Sequence, residues 1–338
     1  MASALPADPA LPPVDARPVD GFDPVAAYRT MVLIRTYEER ILQARTEREV
    51  IGPVHPYIGQ EAVAVGVCAA LEPRDHLVSH YRGHGHALAR GVDPDALTAE
   101  LFGRADGLCG GKAAALVSDP ATHLLLSSGI VGAGIPVAAG AAMTSQVKGD
   151  GAVAVVFFGE GALGAGVVHE TLTLAVVQRL PLILVCENNG YQGATRTEEV
   201  YPETSVARIA EAHRMPVHRV DGNDTLAVHA AATAAVAAAR AGQGPSFIEA
   251  STYLTRFHLQ FDRPSGEHRP AEERADWLAR DPLGRLRQHL LAAGTAPAVL
   301  DALDTDAEQR VDAAITFART SPWPAPEAAL TNLWAATP

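Results

Sequence analysis

Two short turns carry the residue types best suited to hold a charged ligand through a metal ion. Gly159-Glu160-Gly161-Ala162-Leu163-Gly164 sets a carboxylate inside a glycine turn, and Cys186-Glu187-Asn188-Asn189-Gly190-Tyr191 adds a carboxamide. Both groups offer hard oxygens, which magnesium takes together with phosphate oxygens and water. The turns follow Val153 to Phe158 and Leu182 to Val185, continuous apolar runs suited to strands buried on both faces. Between the runs, Val167 to Gln178 has apolar residues at helical spacing, and Leu180-Pro181 ends that helix. Strand, turn, helix and strand in this order predict parallel neighbours whose turns open at one carboxyl edge of a sheet. Ligands bind at that edge of open α/β sheets, where glycines let the backbone approach and a helix amino terminus attracts phosphate.

Two ligands fit this unit taken alone. A nicotinamide dinucleotide is one, since the turn satisfies G-x-G-x-x-G and Glu187 follows about 20 residues on, where an acid takes a ribose hydroxyl. A metal-bridged diphosphate is the other, because an acid inside the turn repels a bare pyrophosphate. Glu160 and Asn189 then hold the cation between adjacent strand ends. This second spacing resembles the G-D-G…N-N signature of thiamine diphosphate enzymes, with glutamate in the aspartate position. One extra methylene predicts weaker metal binding than aspartate would give.

The chain of 338 residues is 48% hydrophobic and 20% charged, which suits one large globular core of the α/β class. A formal charge of −12, without a basic run, argues against nucleic acid as a partner. Cys68, Cys109 and Cys186 are odd in number and lack C-x-x-C spacing, so they indicate neither a disulfide framework nor a zinc site and fit a reducing cytoplasm. Residues 1–20 are rich in Pro and Ala, without a basic start or an apolar core, and read as a disordered tail instead of a signal peptide. Residues 21–320 read as a single α/β domain with C-terminal helices, and 321–338 as a second tail. Ile130 to Met143, the longest small-residue apolar stretch, is broken by glycines and Pro136, so no membrane span is expected.

The remaining elements must position the two turns. Pro24 to Glu49 has the periodicity of a long amphipathic helix through Tyr28, Met31, Ile34, Tyr37 and Ile41. His55-Pro56-Tyr57-Ile58-Gly59-Gln60-Glu61 turns into a small-residue helix, Ala62 to Leu71. Asp75 to Ser79 is a short strand ending in a polar loop, His80 to His86. His76, His80 and His84 recur every four residues, yet Gly83 makes a poor helix interior and Arg82 would oppose a cation, so a metal site is not expected. Arg82 and Tyr81 suit phosphate better, through a planar guanidinium and a phenol. Gly107 to Lys112 is a glycine loop, and Leu116 to Leu126 shows little periodicity. Ser128 to Pro136 opens an Ala/Gly-rich helix to about Gln146, and Gly129 and Val131 can face a flat ring. Then come a helix (Val206 to Ala212), a strand (Val217 to Val220), a capped helix (Thr225 to Ala241), a strand (Ser246 to Thr252) and a polar loop (Tyr253 to Glu267) with His258. Two charged helices fill Ala271 to Phe317. The Pro24 helix and the Ala/Gly helix offer faces to partner chains.

Four ordered segments now match one family: His55 with Gly59-Gln60-Glu61, Tyr81-Arg82-Gly83-His84-Gly85-His86, Gly129-Ile130-Val131-Gly132, and the Gly159 to Asn189 unit. Over roughly residues 25 to 290 the chain resembles the alpha subunit of the thiamine diphosphate-dependent decarboxylase component of 2-oxo acid dehydrogenase complexes, among them the pyruvate, branched-chain and acetoin enzymes. The resemblance implies a thiamine diphosphate-binding fold: a mainly parallel sheet with helices on both faces. Tyr81 and Arg82 would bind the diphosphate, His55 would lie near the cofactor, and Gly129 and Val131 would support its aminopyrimidine. Gly161 and Ala162 belong to the same cofactor turn. Mg2+ would be held by Glu160, Asn189 and the carbonyl of Tyr191. His258 would face cofactor and substrate, with His84 a second proton donor.

The implied reaction decarboxylates a small 2-oxo acid, or cleaves acetoin, and hands the acyl unit to a lipoyl group or a carbonyl acceptor. A beta-type subunit would supply the catalytic glutamate, in an assembly of two alpha and two beta chains, joined in some complexes to a lipoyl acyltransferase. The family's K-G-G-S-M-H segment is Lys112-Ala113-Ala114-Ala115-Leu116-Val117 here, and the aromatic-x-Gly-His segment reads Arg256-Phe257-His258. These departures predict a less polar substrate wall. A catalytically silent scaffold and a nicotinamide-dependent oxidoreductase are the competing readings.

Overall fold

The computed structural model describes residues 21–201, 205–259 and 268–334, so the expected 1–20 tail lies outside the described residues. Its strands are β1 (His76–His80), β2 (Leu124–Ser128), β3 (Ala154–Gly159), β4 (Leu182–Asn188), a short hairpin of β5 (Tyr191–Gln192) and β6 (Thr195–Arg196), then β7 (Val217–Asp221) and β8 (Ser246–Ser251). Apart from the hairpin they form one sheet, in the order β2-β1-β3-β4-β8-β7, with every pairing parallel. From β1 the chain adds β2 on one side, then crosses back to add β3 and the rest on the other. The order therefore reverses between β1 and β3, and the carboxyl ends of strands flanking such a reversal leave a crevice for ligands.

Continuous apolar runs explain the central strands. Val155, Phe157, Ile183 and Val185 join one buried cluster, while Ala154, Val156, Phe158, Leu182 and Leu184 join another on the opposite face. β3 and β4 pair in register from Ala154 with Leu182 to Gly159 with Glu187, so the two functional turns leave the sheet side by side.

Helices cover both faces. They are α1 (Pro24–Thr46), α2 (Glu61–Cys68), α3 (His84–Arg90), α4 (Pro94–Leu101), α5 (Gly134–Lys148), α6 (Gly166–Gln178), α7 (Thr197–Val200), α8 (Arg208–Ala212), α9 (Thr225–Arg240), α10 (Ala271–Leu278), α11 (Pro282–Ala292) and α12 (Pro297–Thr320). α2 and α9 share the first cluster, and α5 and α6 the second. No helix among the described residues is long and apolar enough to cross a membrane.

Four expectations change. The α1 stripe is not a partner face: Met31, Ile34, Tyr37 and Ile41 are fully buried against this chain itself. The reason is α12, which brings Leu300, Leu303, Val311 and Ala318 at helical spacing and packs along α1. The C-terminal region holds three helices, because Asp281-Pro282 breaks the first and Gly294, at φ 95°, the second. The loop expected to run to His86 turns at Gly83 and becomes α3 from His84. Finally, residues 321–334 are seated on the Gly103–Lys112 loop, with the Arg104 guanidinium 3.7 Å from the Trp323 ring and Lys112 Nζ donating to Thr331.

Candidate active site

A cavity of about 310 Å³ opens at the carboxyl edge between β1 and β3. The β1 end gives it Tyr81 and Arg82, and the segment before α5 gives Val131. From the β3 turn come Glu160, Gly161 and Ala162, from the β4 turn Asn189 and Tyr191, and from the segment after β8 His258. Close backbone approach makes this convergence possible. Gly59, at φ 109°, lies so near the Tyr253 carbonyl that a Cβ would sit 2.2 Å from its oxygen, which fastens the post-β8 segment over the site.

Glu160 is almost fully buried at the start of the short 3-10 turn Glu160–Gly164. Its Oε2 accepts from the Asn189 N–H at 3.3 Å, and its Oε1 accepts from Thr197 Oγ1 at 3.2 Å. Burial pushes its pKa up to about 7, against the pull of those hydrogen bonds. A buried carboxylate that makes no ion pair among the described residues, with only the more distant charge of Arg82 acting on it, suits a cation. The other oxygens are in place: the Asn189 side-chain oxygen accepts from the Tyr191 N–H at 3.2 Å, and its amide donates to Gln60 at 3.3 Å. Gln192, packed over Gly161, stands on the cavity wall beside the Tyr201 hydroxyl. An acid and a carboxamide at adjacent strand ends, in one cavity with the Arg82 guanidinium and the Tyr81 phenol, fit a magnesium-bridged diphosphate.

Glu187 has a different task. Tyr57 donates to Oε1, His86 Nε2 lies 3.2 Å from that oxygen, and His80 Nε2 lies 2.9 Å from Oε2. Burial alone would raise its pKa, but the two histidines hold it below the usual carboxylate range. Both oxygens are engaged in the interior, so Glu187 has nothing left for a ribose hydroxyl, and the dinucleotide reading loses its acid. His80, His86 and Glu187 also lie close enough together to hold a metal ion. The hydrogen bonds argue otherwise. The Arg82 N–H donates to His80 Nδ1 at 3.1 Å, so His80 carries its proton on Nε2, which points at Glu187 and has no lone pair for a metal. A Cβ on Gly85 would sit 2.1 Å from the Tyr57 ring, so glycine there lets Tyr57 reach this hub.

Beside it, Arg82 ties the post-β8 segment down. Its guanidinium donates to the Pro56 carbonyl at 2.8 Å, to the His258 carbonyl at 3.1 Å and to His258 Nδ1 at 3.2 Å. His258 therefore accepts at Nδ1 and carries its proton on Nε2. His55 stands 5.3 Å from the His258 ring and 4.5 Å from the Tyr81 ring. Burial, then the charge of Arg82, lowers His258 to about 4 and His55 to about 3.

These depressed values set a pH dependence. Between the ordinary histidine value near 6.5 and about 4, the unfolded chain binds protons that the folded chain refuses, so these histidines make stability fall as pH falls. Glu160, with its raised value, acts in the opposite sense between about 4.5 and 7. Urea unfolding at pH 7 and pH 5 is expected to show a smaller acid loss in His55→Gln/His258→Gln than in the parent. Equal losses would contradict the burial of these imidazoles.

A family model described as dehydrogenase E1 component matches residues 28–327. The pyruvate dehydrogenase E1 component subunit alpha of Zymomonas mobilis is 40% identical over 327 residues, 96% of this chain and 92% of its own length. The chain belongs to the dehydrogenase E1 component family. Two acetoin:2,6-dichlorophenolindophenol oxidoreductase alpha subunits are also similar: that of Bacillus subtilis, 39% identical over 91% of this chain and 92% of its own, and that of Cupriavidus necator, 36% identical over 94% and 96%. E1 components of this kind are thiamine diphosphate-dependent decarboxylases, and an alpha subunit implies a beta partner.

Three expected positions lie off the cavity wall of this E1 chain. His84 is fully buried away from the lining, with Nδ1 3.4 Å from Glu38 Oε2 and its ring edge-on to Tyr37, so the expected direct proton transfer to substrate is corrected to a buried, supporting position. Gly129 lies between the cavity residues Ser128 and Ile130, against Leu116, and His55 stands behind Tyr81 and His258. The expected substrate wall at Ala115 to Val117 is corrected too: Ala115 and Val117 turn into the core, and Leu116 faces outward beside Gly129. Sequence reasoning missed Gln60, His80, Thr197 and Gln192. Gln60 lay inside a quoted motif and His80 beside Tyr81, whereas no local signal marks Thr197 or Gln192.

Proposed function

We propose that this chain is the alpha subunit of a two-component enzyme that takes thiamine diphosphate through magnesium, decarboxylates a small 2-oxo acid or cleaves acetoin, and passes the acyl unit to a lipoyl group or a carbonyl acceptor. The observation that carries it is the buried Glu160 carboxylate, which has no ion pair among the described residues and shares a cavity with Arg82. When bound, thiamine diphosphate supplies the electron sink for loss of carbon dioxide. Glu160, Asn189 and the Tyr191 carbonyl would hold the ion. Arg82 and Tyr81 would meet the diphosphate, while Val131 and Ile130 offer apolar contact to a ring. Calorimetry on the assembled enzyme is expected to show thiamine diphosphate binding that requires a divalent ion. Binding of a nicotinamide dinucleotide in its place would overturn the reading.

His258 meets the substrate as a neutral donor. Arg82 occupies Nδ1, so the Nε2–H is the atom left to hydrogen-bond a substrate oxygen and to stabilise negative charge that develops on it. His258→Ala is expected to lower turnover of the assembled enzyme by about 100-fold, with cofactor affinity nearly unchanged. Unaltered turnover would make His258 a tether for Arg82 and nothing more.

The assembly we propose has two alpha and two beta chains, joined to a lipoyl acyltransferase, in the cytoplasm. Support comes from exposed apolar side chains on two helices that pack together, Val137, Met143 and Val147 on α5 with Leu174 and Val177 on α6, and from Ile130 and Val131 at the cavity rim. Exposed apolar side chains in this number fit a protein partner. Three free thiols agree with a reducing compartment.

A further inference from the structure

We infer that Glu273 on α10 is a positioning residue for the cation site: it fixes the β5–β6 hairpin that carries Tyr191. The inference rests on the reading of Tyr191 as a carbonyl ligand. Three donors from three places converge on this one carboxylate. Tyr191 Oη donates at 2.8 Å, Arg196 Nη2 at 2.6 Å and Tyr253 Oη at 3.0 Å. Tyr191 and Arg196 are paired across the hairpin, so Glu273 grips both strands at the same rung.

The hairpin needs such a grip. Each of its strands has two residues, and an isolated two-stranded ribbon is marginal. Gly190 and Gly193, at φ 78° and 65°, flank Tyr191 and Gln192 with no atom near either Cβ position, so the two glycines give the turn no packing of their own, and it is held by Gln192 against Gly161 and by short-range hydrogen bonds at its base. α10 is itself anchored, with Trp277 stacked on Tyr253 at 5.3 Å. A swing of the hairpin would move the Tyr191 carbonyl and, at its base, Thr197, which holds Glu160 at 3.2 Å. Magnesium demands near-ideal octahedral geometry, and outer-shell partners of metal ligands typically matter by about 10–100-fold in affinity. The carboxylate is partly exposed, and exposed ion pairs add little to global stability.

The test titrates manganese(II) into the assembled enzyme with thiamine diphosphate present, followed by its paramagnetic resonance signal. Glu273→Gln keeps the size but turns an amide toward Arg196. It is expected to weaken manganese binding about 10–100-fold, with kcat at saturating ion and the unfolding midpoint close to the parent's. Tyr191→Phe should lose a similar factor, and the double variant should lose no more than either single one. Parental affinity in Glu273→Gln, beside lost affinity in Glu160→Ala, would overturn the positioning role alone. Additive losses, or a fall in the unfolding midpoint matching the loss of affinity, would do the same. Parental affinity in Glu160→Ala would remove the metal reading on which the inference rests.

Discussion

Glu160→Ala is expected to abolish ion-dependent binding of thiamine diphosphate, weakening it by at least about 100-fold, while the protein stays as stable as its parent or becomes slightly more so. The two halves have one cause. Glu160 is buried, its pKa is pushed up to about 7, and the donors that reach it, Asn189 N–H and Thr197 Oγ1, do not offset its desolvation. A buried carboxylate with no ion pair among the described residues burdens the fold, and the same charge is what draws a divalent ion. Affinity and stability should therefore move in opposite directions, unlike the behaviour of an ordinary core residue. The structure also revises the expectation that aspartate would bind more tightly. Thr197 and Asn189 are set at the reach of a glutamate, so Glu160→Asp withdraws the carboxylate from both and should weaken binding. Calorimetry of the three proteins with magnesium and thiamine diphosphate, beside their thermal midpoints, checks both statements; parental binding in Glu160→Ala would refute the assignment.

The unit from β3 to β4 was legible because a strand buried on both faces reads as an unbroken apolar run, and Val153 to Phe158 and Leu182 to Val185 are such runs. β2 was not legible, because Leu124-Leu125-Leu126-Ser127-Ser128 has neither β-branched residues nor apolar alternation, unlike the other edge strand, β7, whose Val217 and Val220 mark it. The α1 stripe was correctly seen as apolar but assigned to a partner, since its covering helix, α12, lies almost a whole chain away in sequence. Periodicity shows that a face must be covered. It does not show by what.

The site divides in the same way. Tyr81, Arg82, Glu160 and Asn189 were legible because each sits in a short motif at a strand end. Glu187 was seen only as an acid after a strand, and its task is set by Tyr57, His80 and His86, three donors from two other segments. His84 misled for the converse reason. A histidine in a glycine-rich segment reads as mobile and exposed, yet α3 begins there and turns it inward onto Glu38.

The chain alone is expected to be inactive with any 2-oxo acid until a beta-type partner is added. In the resembled family a carboxylate must engage the aminopyrimidine of the cofactor. Among the described residues, only two acids line this cavity, Glu160 and Glu187. Glu160 lies at the proposed ion, and Glu187 has both oxygens taken by Tyr57, His80 and His86. Neither is available for a second task. The described residues also form one large sheet and a two-residue hairpin, so no second sheet supplies another candidate. We propose that the missing group arrives from another chain, and that the exposed Ile130 and Val131 at the cavity rim mark where that chain would close over the cofactor. Activity should appear on mixing, in proportion to the partner added, and should disappear when the partner's glutamate is replaced by glutamine. Decarboxylation by the rigorously purified single chain, at a rate unaffected by any beta-type subunit, would show that one of its own acids does the work and would overturn this assignment.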